Sequence, residues 1–193
     1  MRMTIGIAVV AMTMAGLSAA RADELPGLRG HDHTGITVPD MDQAVSFFTD
    51  VLGCKAAMTF GPFSGMGEVL NINSQAVVEK ITMVRCGAGS NIELFKYSSP
   101  DQKDMTPKNS DIGGMHIALY VDDVQKAKDY LDRKGVKTFK GPIPVGQGPA
   151  AGETILYFVA PWGLQFEAIS YPKGLGYEKG ASTVLWKPTE PGK

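Results

Sequence analysis

From His33 onward the apolar residues fall into two runs with the same rhythm. The first reads His33-Thr-Gly-Ile-Thr-Val38-Pro-Asp40-Met-Asp-Gln-Ala44-Val-Ser-Phe47-Phe48, the second His116-Ile-Ala-Leu-Tyr-Val121-Asp-Asp123-Val-Gln-Lys-Ala127-Lys-Asp-Tyr130-Leu131. Counted from each His, Val recurs at +5, Asp at +7, Ala at +11 and an aromatic residue at +14. The short apolar stretch after each His predicts a strand. The 3–4 spacing of Ala44, Phe47, Phe48 and Val51, and of Val124, Ala127, Tyr130 and Leu131, predicts a helix with one apolar face. Asp40 and Asp123 stand where a carboxylate accepts the free N–H groups of a first helical turn. Gly53 and Gly135 stand where a helix ends in a left-handed residue.

Strand-like runs follow each helix: Lys55–Phe63, Val77–Arg85 and Asn91–Tyr97 in the first half, and Thr138–Lys140, Thr154–Ala160 and Leu164–Ser170 in the second. An irregular insertion, with a short helix near Met66–Asn71, interrupts the first half, and residues 98–112 read as a linker. Each half is therefore strand-helix-strand-strand-strand, an α+β unit too small to bury its own sheet. Two of them must pair.

Other segments lie outside this repeat. Arg2, the apolar run Ile5–Leu17 and Ala20-Arg21-Ala22 follow the plan of a secretory signal peptide, so residues 1–22 are expected to be removed. That leaves residues 23–171 for the repeat, with its units at about 30–97 and 113–171, and 172–193 as a Gly/Pro/Lys-rich C-terminal arm that Tyr177, Leu185 and Trp186 could pin down. The full chain of 193 residues carries 19 basic and 20 acidic residues. Without Arg2 and Arg21 the balance is 17 to 20, mildly acidic, which gives no electrostatic reason to expect nucleic acid as a partner. Nor is a membrane partner expected once the signal has gone; the expected compartment is periplasmic or extracellular. Cys54 and Cys86 bracket two neighbouring strands, where they can form a disulfide or remain two buried thiols.

The candidate chemistry lies in register with the repeat. His33 and His116 open the two units, and Glu93 and Glu167 lie on the closing strands. Side chains alternate along a strand, so Ile92 and Leu94 face one way and Glu93 the other; Phe166 and Ala168 are related in the same way to Glu167. A carboxylate between apolar neighbours needs solvent, a cation or a metal. Two imidazoles and two carboxylates suit a divalent ion: Ni, Zn, Co, Mn or Fe. His31 lies outside the repeat and is read as surface or pocket rim. Phe47, Phe48, Phe95 and Phe166 are read as core, and Gly146-Gln147-Gly148-Pro149 as a loop that could cover the site.

These motifs resemble the vicinal-oxygen-chelate superfamily. Asp32-His33-Thr-Gly-Ile-Thr-Val38-Pro-Asp40 with Leu52-Gly53 is similar to its opening, and Ile92-Glu93-Leu94-Phe95 to the strand closing its first module. Gly114 to Asp122 resembles the start of the second module, and Pro161-Trp162-Gly163-Leu164-Gln165-Phe166-Glu167 the turn and strand with the last metal ligand. The resemblance, over residues 31 to about 171, implies paired βαβββ modules forming an open, partly closed β-barrel around a central groove. It implies His33, Glu93, His116 and Glu167 as metal ligands, with Glu167 or Glu93 also moving a proton. The ligand pattern is nearest to bacterial glyoxalase I and methylmalonyl-CoA epimerase, although Thr37 stands near the first ligand where glyoxalases place a glutathione-binding Arg.

The expected function is thus a metal-dependent, exported glyoxalase-like enzyme. It would act on a small oxygenated substrate by metal-assisted proton transfer, as an isomerase, epimerase or lyase. The alternative readings are a non-haem iron ring-cleaving dioxygenase and a non-catalytic small-molecule binding protein of the bleomycin-resistance type, and the modules could pair within one chain or across a homodimer.

Overall fold

A computed structural model describes residues 25–190. The expected signal segment lies outside the described residues. Residues up to His31 form one unit and residues from Asp32 onward another, and every helix and strand among the described residues belongs to the second.

In the first half, β1 (His33–Thr37) leads into α1 (Met41–Ser46), which continues as a wider helical turn over Phe47–Val51. β2 (Lys55–Phe60), the short α2 (Gly67–Leu70), β3 (Val77–Arg85) and β4 (Asn91–Ser98) follow. The second half runs β5 (His116–Tyr120), α3 (Val124–Arg133), β6 (Ile143–Pro144), β7 (Thr154–Val159) and β8 (Gln165–Ser170). Asp40 accepts the Gln43 N–H at 2.8 Å and Asp123 the Lys126 N–H at 3.0 Å, so both helices start on their expected carboxylates. Gly53 and Gly135 follow with φ of 73° and 72°, the left-handed backbone that L side chains resist.

Two four-stranded sheets result, in the orders β1-β4-β3-β2 and β5-β8-β7-β6. In each, the first strand runs parallel to the last and the remaining pairs are antiparallel. The sheets do not close into a barrel among the described residues, as expected of the open architecture. Their inner faces and the helices share one core. Leu94, Phe158 and Phe166 are fully buried, and the Phe166 ring meets Phe47 at 5.7 Å and Phe48 at 5.8 Å. Aromatic side chains from the first helix therefore seal the second sheet, so neither half is complete alone.

Two local expectations are corrected. Thr138–Lys140 is not a strand: Thr138 makes a single bridge to Phe158, and the edge strand is Ile143–Pro144. With Gly141 and Pro142 between them, the chain takes one contact with β7 before the break and its short pairing after it. Phe95 is not core. It shares the Glu93 face of β4, is half-buried, and stacks on Tyr97 at 5.2 Å.

Cys54 and Cys86 form a disulfide that ties the approach to β2 to the end of β3. The 146–149 stretch is a turn held by the C-terminal segment, since Gly176 and Tyr177 donate to the carbonyls of Ala151 and Pro149. The arm beyond it is pinned as well. The Leu185 N–H donates to the Tyr177 hydroxyl at 2.7 Å, and Lys187 pairs with Glu178 at 2.7 Å.

Candidate metal-binding site

Parallel pairing of the first and last strand of each unit places the histidine and the glutamate on adjacent strands. His33 aligns with Asn91 and Gly35 with Glu93, so the His33 ring and the Glu93 carboxylate converge over the β1–β4 seam. Gly35 supports this approach by presenting no side chain beside Glu93 Oε2. The same offset recurs in the second sheet, where His116 aligns with Gln165 and Ala118 with Glu167.

The geometry is closely matched. His33 Nε2 lies 3.2 Å from Glu93 Oε2, and His116 Nε2 lies 3.1 Å from Glu167 Oε2. Both carboxylates are the more buried member of their pair, with side-chain exposures of 17% for Glu93 and 9% for Glu167. Their partners are open to one side. The alternation that buries Ile92 and Leu94, and Phe166 and Ala168, therefore leaves each Glu directed at an imidazole.

The surroundings of the two pairs differ. In the first, His33 Nδ1 lies 2.6 Å from Asp32 Oδ1. The hydrogen bond to Asp32 raises the His33 pKa above its usual 6.5, against a smaller lowering by burial and with help from the Glu93 charge. In the second, the Tyr157 hydroxyl lies 3.4 Å from His116 Nε2, with its ring at 5.1 Å from the imidazole. Burial raises the Tyr157 phenol, and the charge of Glu167 and a hydrogen bond to it add to the effect. Glu153 is also raised, first by burial and then by Glu167. The first sheet has Met83, not a tyrosine, opposite its glutamate.

Sequence reasoning passed over Tyr157 and Glu153. Neither is marked in the chain itself: only the pairing of β7 with β8 sets Tyr157 opposite Glu167. The role of Asp32 was hidden because adjacent residues on a regular strand point apart; Asp32 precedes β1 and can turn back onto the His33 ring.

Each pair offers one imidazole nitrogen and one carboxylate oxygen to a common point, a donor set that divalent ions between hard and soft accept. Asp32 on Nδ1 directs the His33 Nε2 lone pair toward that point, the usual outer support of a metal-bound histidine. Among the described residues, however, no three His, Cys, Asp or Glu side chains converge closely enough to hold one ion. The four predicted ligands thus come together as two pairs and not as one quartet. His31 belongs to the first of the two units.

The chain belongs to the Glyoxalase/Bleomycin resistance protein/Dioxygenase superfamily, whose family model matches residues 32–157. It is 40% identical over 168 residues to a 2-epi-5-epi-valiolone epimerase from Actinomyces sp, an alignment covering 85% of this chain and 91% of that protein. Among solved structures, a glyoxalase family protein from Bacillus cereus superposes with a TM-score of 0.61 at 19% identity, covering 76% of this chain and 98% of the other. A glyoxalase I mutant from Zea mays gives 0.51 at 22% identity, covering 71% of this chain and 43% of its own. At such identities these two structures speak to the fold. The epimerase, far closer in sequence, favours an enzyme of the isomerase type.

Proposed function

We propose that this protein is a metal-dependent epimerase acting on a ketone of the valiolone type, with each metal site assembled from two subunits. The observation that carries the reading is the pair of matched half-sites, His33–Glu93 and His116–Glu167, in a chain 40% identical to an epimerase. A single half-site gives too few donors for a stable centre. A two-fold dimer that sets the first sheet of one subunit against the second sheet of its partner supplies two nitrogens and two oxygens. The half-exposed His33 and His116 and the fully exposed strand β2 with Met58 and Phe60 leave these faces accessible to such a partner.

Inverting a carbon centre next to a carbonyl requires removal of its proton and return of a proton to the opposite face. A divalent ion held by His33 and His116, with Glu93 and Glu167 bound loosely or displaced, would supply Lewis acidity for the charge that develops on the carbonyl oxygen. Glu167, the most buried of the four, takes the proton from one side as general base. Glu93, which the partner subunit would present from the other sheet, returns one as general acid. The Tyr157 hydroxyl, beside His116, donates to substrate oxygen and holds the ketone in register.

The test combines metal analysis with deuterium exchange. Purified protein is assayed for bound Ni, Zn, Co, Mn and Fe, then incubated with 2-epi-5-epi-valiolone in heavy water. The expected result is about one ion per chain, and exchange at the carbon beside the carbonyl that falls by ~10²-fold or more in His116→Ala and Glu167→Ala. Metal-free protein with undiminished exchange in both variants would sink the proposal.

A further inference from the structure

We infer that the protein carries a second small-molecule site, for a neutral apolar ligand, between the end of the first sheet and the β5–α3 face of the second unit. The site is a cavity of about 390 Å³, within the range of ligand pockets and well beyond the small voids of a packed core. Leu119 and Val121 from the end of the second sheet, Leu131 from α3 and Phe158 from β7 give it apolar walls, and the Cys54–Cys86 disulfide forms part of the opposite wall. Among the described residues, no Asp, Glu, Lys, Arg or His side chain lines it.

That lining selects the ligand. A charged molecule would lose its hydration without gaining a counter-charge, and the hydroxyls of a polyol would outnumber the few hydroxyl-bearing residues in the walls, Thr34, Ser90, Tyr120 and Tyr130, the last of which already donates to the Val51 carbonyl. The hydroxylated ketone proposed as substrate is therefore the wrong chemistry for this cavity, and neither His–Glu pair borders it. The sheet edge adds a backbone handle to these hydroxyl-bearing side chains. β5 ends its sheet, so alternate peptide groups along its outer edge face away from β8 and can bond a single ligand carbonyl or hydroxyl. The fitting class is a compact hydrocarbon or aromatic molecule with at most one such group.

The C-terminal arm supplies the mouth. Held by the Leu185–Tyr177 and Lys187–Glu178 contacts, it lays Trp186 against Gly89 at the cavity rim. A Cβ at Gly89 would come within 3.1 Å of the indole, and the φ of 116° there disfavours any side chain, so the turn is shaped to receive the ring. Trp186 stays 46% exposed while lining the cavity, as a door residue does.

The probe is N-phenyl-1-naphthylamine, a neutral aromatic amine that brightens in apolar surroundings and accepts energy from tryptophan. Titrated into the purified full chain, it is expected to bind saturably, with about one probe per chain and energy transfer that drops about fourfold or more in Trp186→Phe, beyond the half that losing one of the chain's two tryptophans would give anywhere. Ala127→Trp, which drives an indole into the cavity from α3, should weaken binding about tenfold or more with the circular dichroism unchanged, whereas His116→Ala should not alter it. If the bulky variant fails to fold, the Trp186→Phe comparison still decides. The proposal is overturned by non-saturable binding or by energy transfer that falls in Trp186→Phe by no more than the half expected from losing one of two tryptophans. It is equally overturned by probe binding that fades as protein concentration rises, which would mean that a second copy fills the space.

Discussion

Asp32 and His33 show how two neighbouring residues tune one half-site. The Asp32 carboxylate at 2.6 Å favours the charged imidazole, so in metal-free protein the ring should titrate above 6.5. The sign follows from linkage: what this pair adds to stability is fully present below the unfolded value near 6.5 and is lost as pH rises through the higher folded value. NMR titration of the His33 ring should show the raised midpoint, and Asp32→Asn should bring it down. The same substitution removes the group that orients Nε2, and an affinity for metal about 10–100-fold weaker is expected from competition with a chelator. An unmoved midpoint in Asp32→Asn would remove Asp32 from this role. At this scale His33, Glu93, His116 and Glu167 were legible in the sequence as a repeat in register. Tyr157 was not, because its importance comes from the strand that lies beside Glu167 and nothing near it in the chain marks it.

Between elements, the aromatic contacts carry the fold. Phe166 is completely buried on β8 and touches Phe47 and Phe48 from the wider helical turn that continues α1, as well as Phe158 from β7. Truncating it opens a void at the junction of both units, and Phe166→Ala should cost about 3–5 kcal/mol in urea unfolding. Because Phe166 neighbours Glu167, the variant should also loosen the second half-site; a change under ~1 kcal/mol would show that the two units are held by other contacts. The elements themselves were mostly readable. Caps, apolar periodicity and turn glycines marked α1, α3 and six of the eight strands at nearly their full extent, since these are local signals. The edge strand beside β7 was misplaced, because Thr138–Lys140 and Ile143–Pro144 are both short and only pairing with β7 separates a bridge from a strand.

For the whole molecule, the proposed dimer makes a prediction about mixtures. A His33→Ala/Glu93→Gln subunit retains its second half-site, and a His116→Ala/Glu167→Gln subunit retains its first. Neither homodimer then holds an intact site, while a mixed dimer rebuilds one of its two. Unfolding and refolding the two variants together should restore about a quarter of wild-type activity per chain. No recovery, with mixed dimers shown by native mass spectrometry, would place each centre within one chain.

The sequence alone was enough to determine the doubled α+β unit, its capped helices and the in-register placement of His33, Glu93, His116 and Glu167. Each of those features depends on neighbours a few positions away or on a pattern repeated at a constant offset. Tertiary structure decided how the features combine. It joined Cys54 to Cys86, turned Phe95 and Tyr157 toward the site face, and folded the C-terminal arm so that Trp186 lines an uncharged cavity. It also divided the ligands into two pairs. Strand pairing brings each His to its Glu, but only the packing of one sheet against another can bring two pairs together, and no short-range pattern in the chain records that.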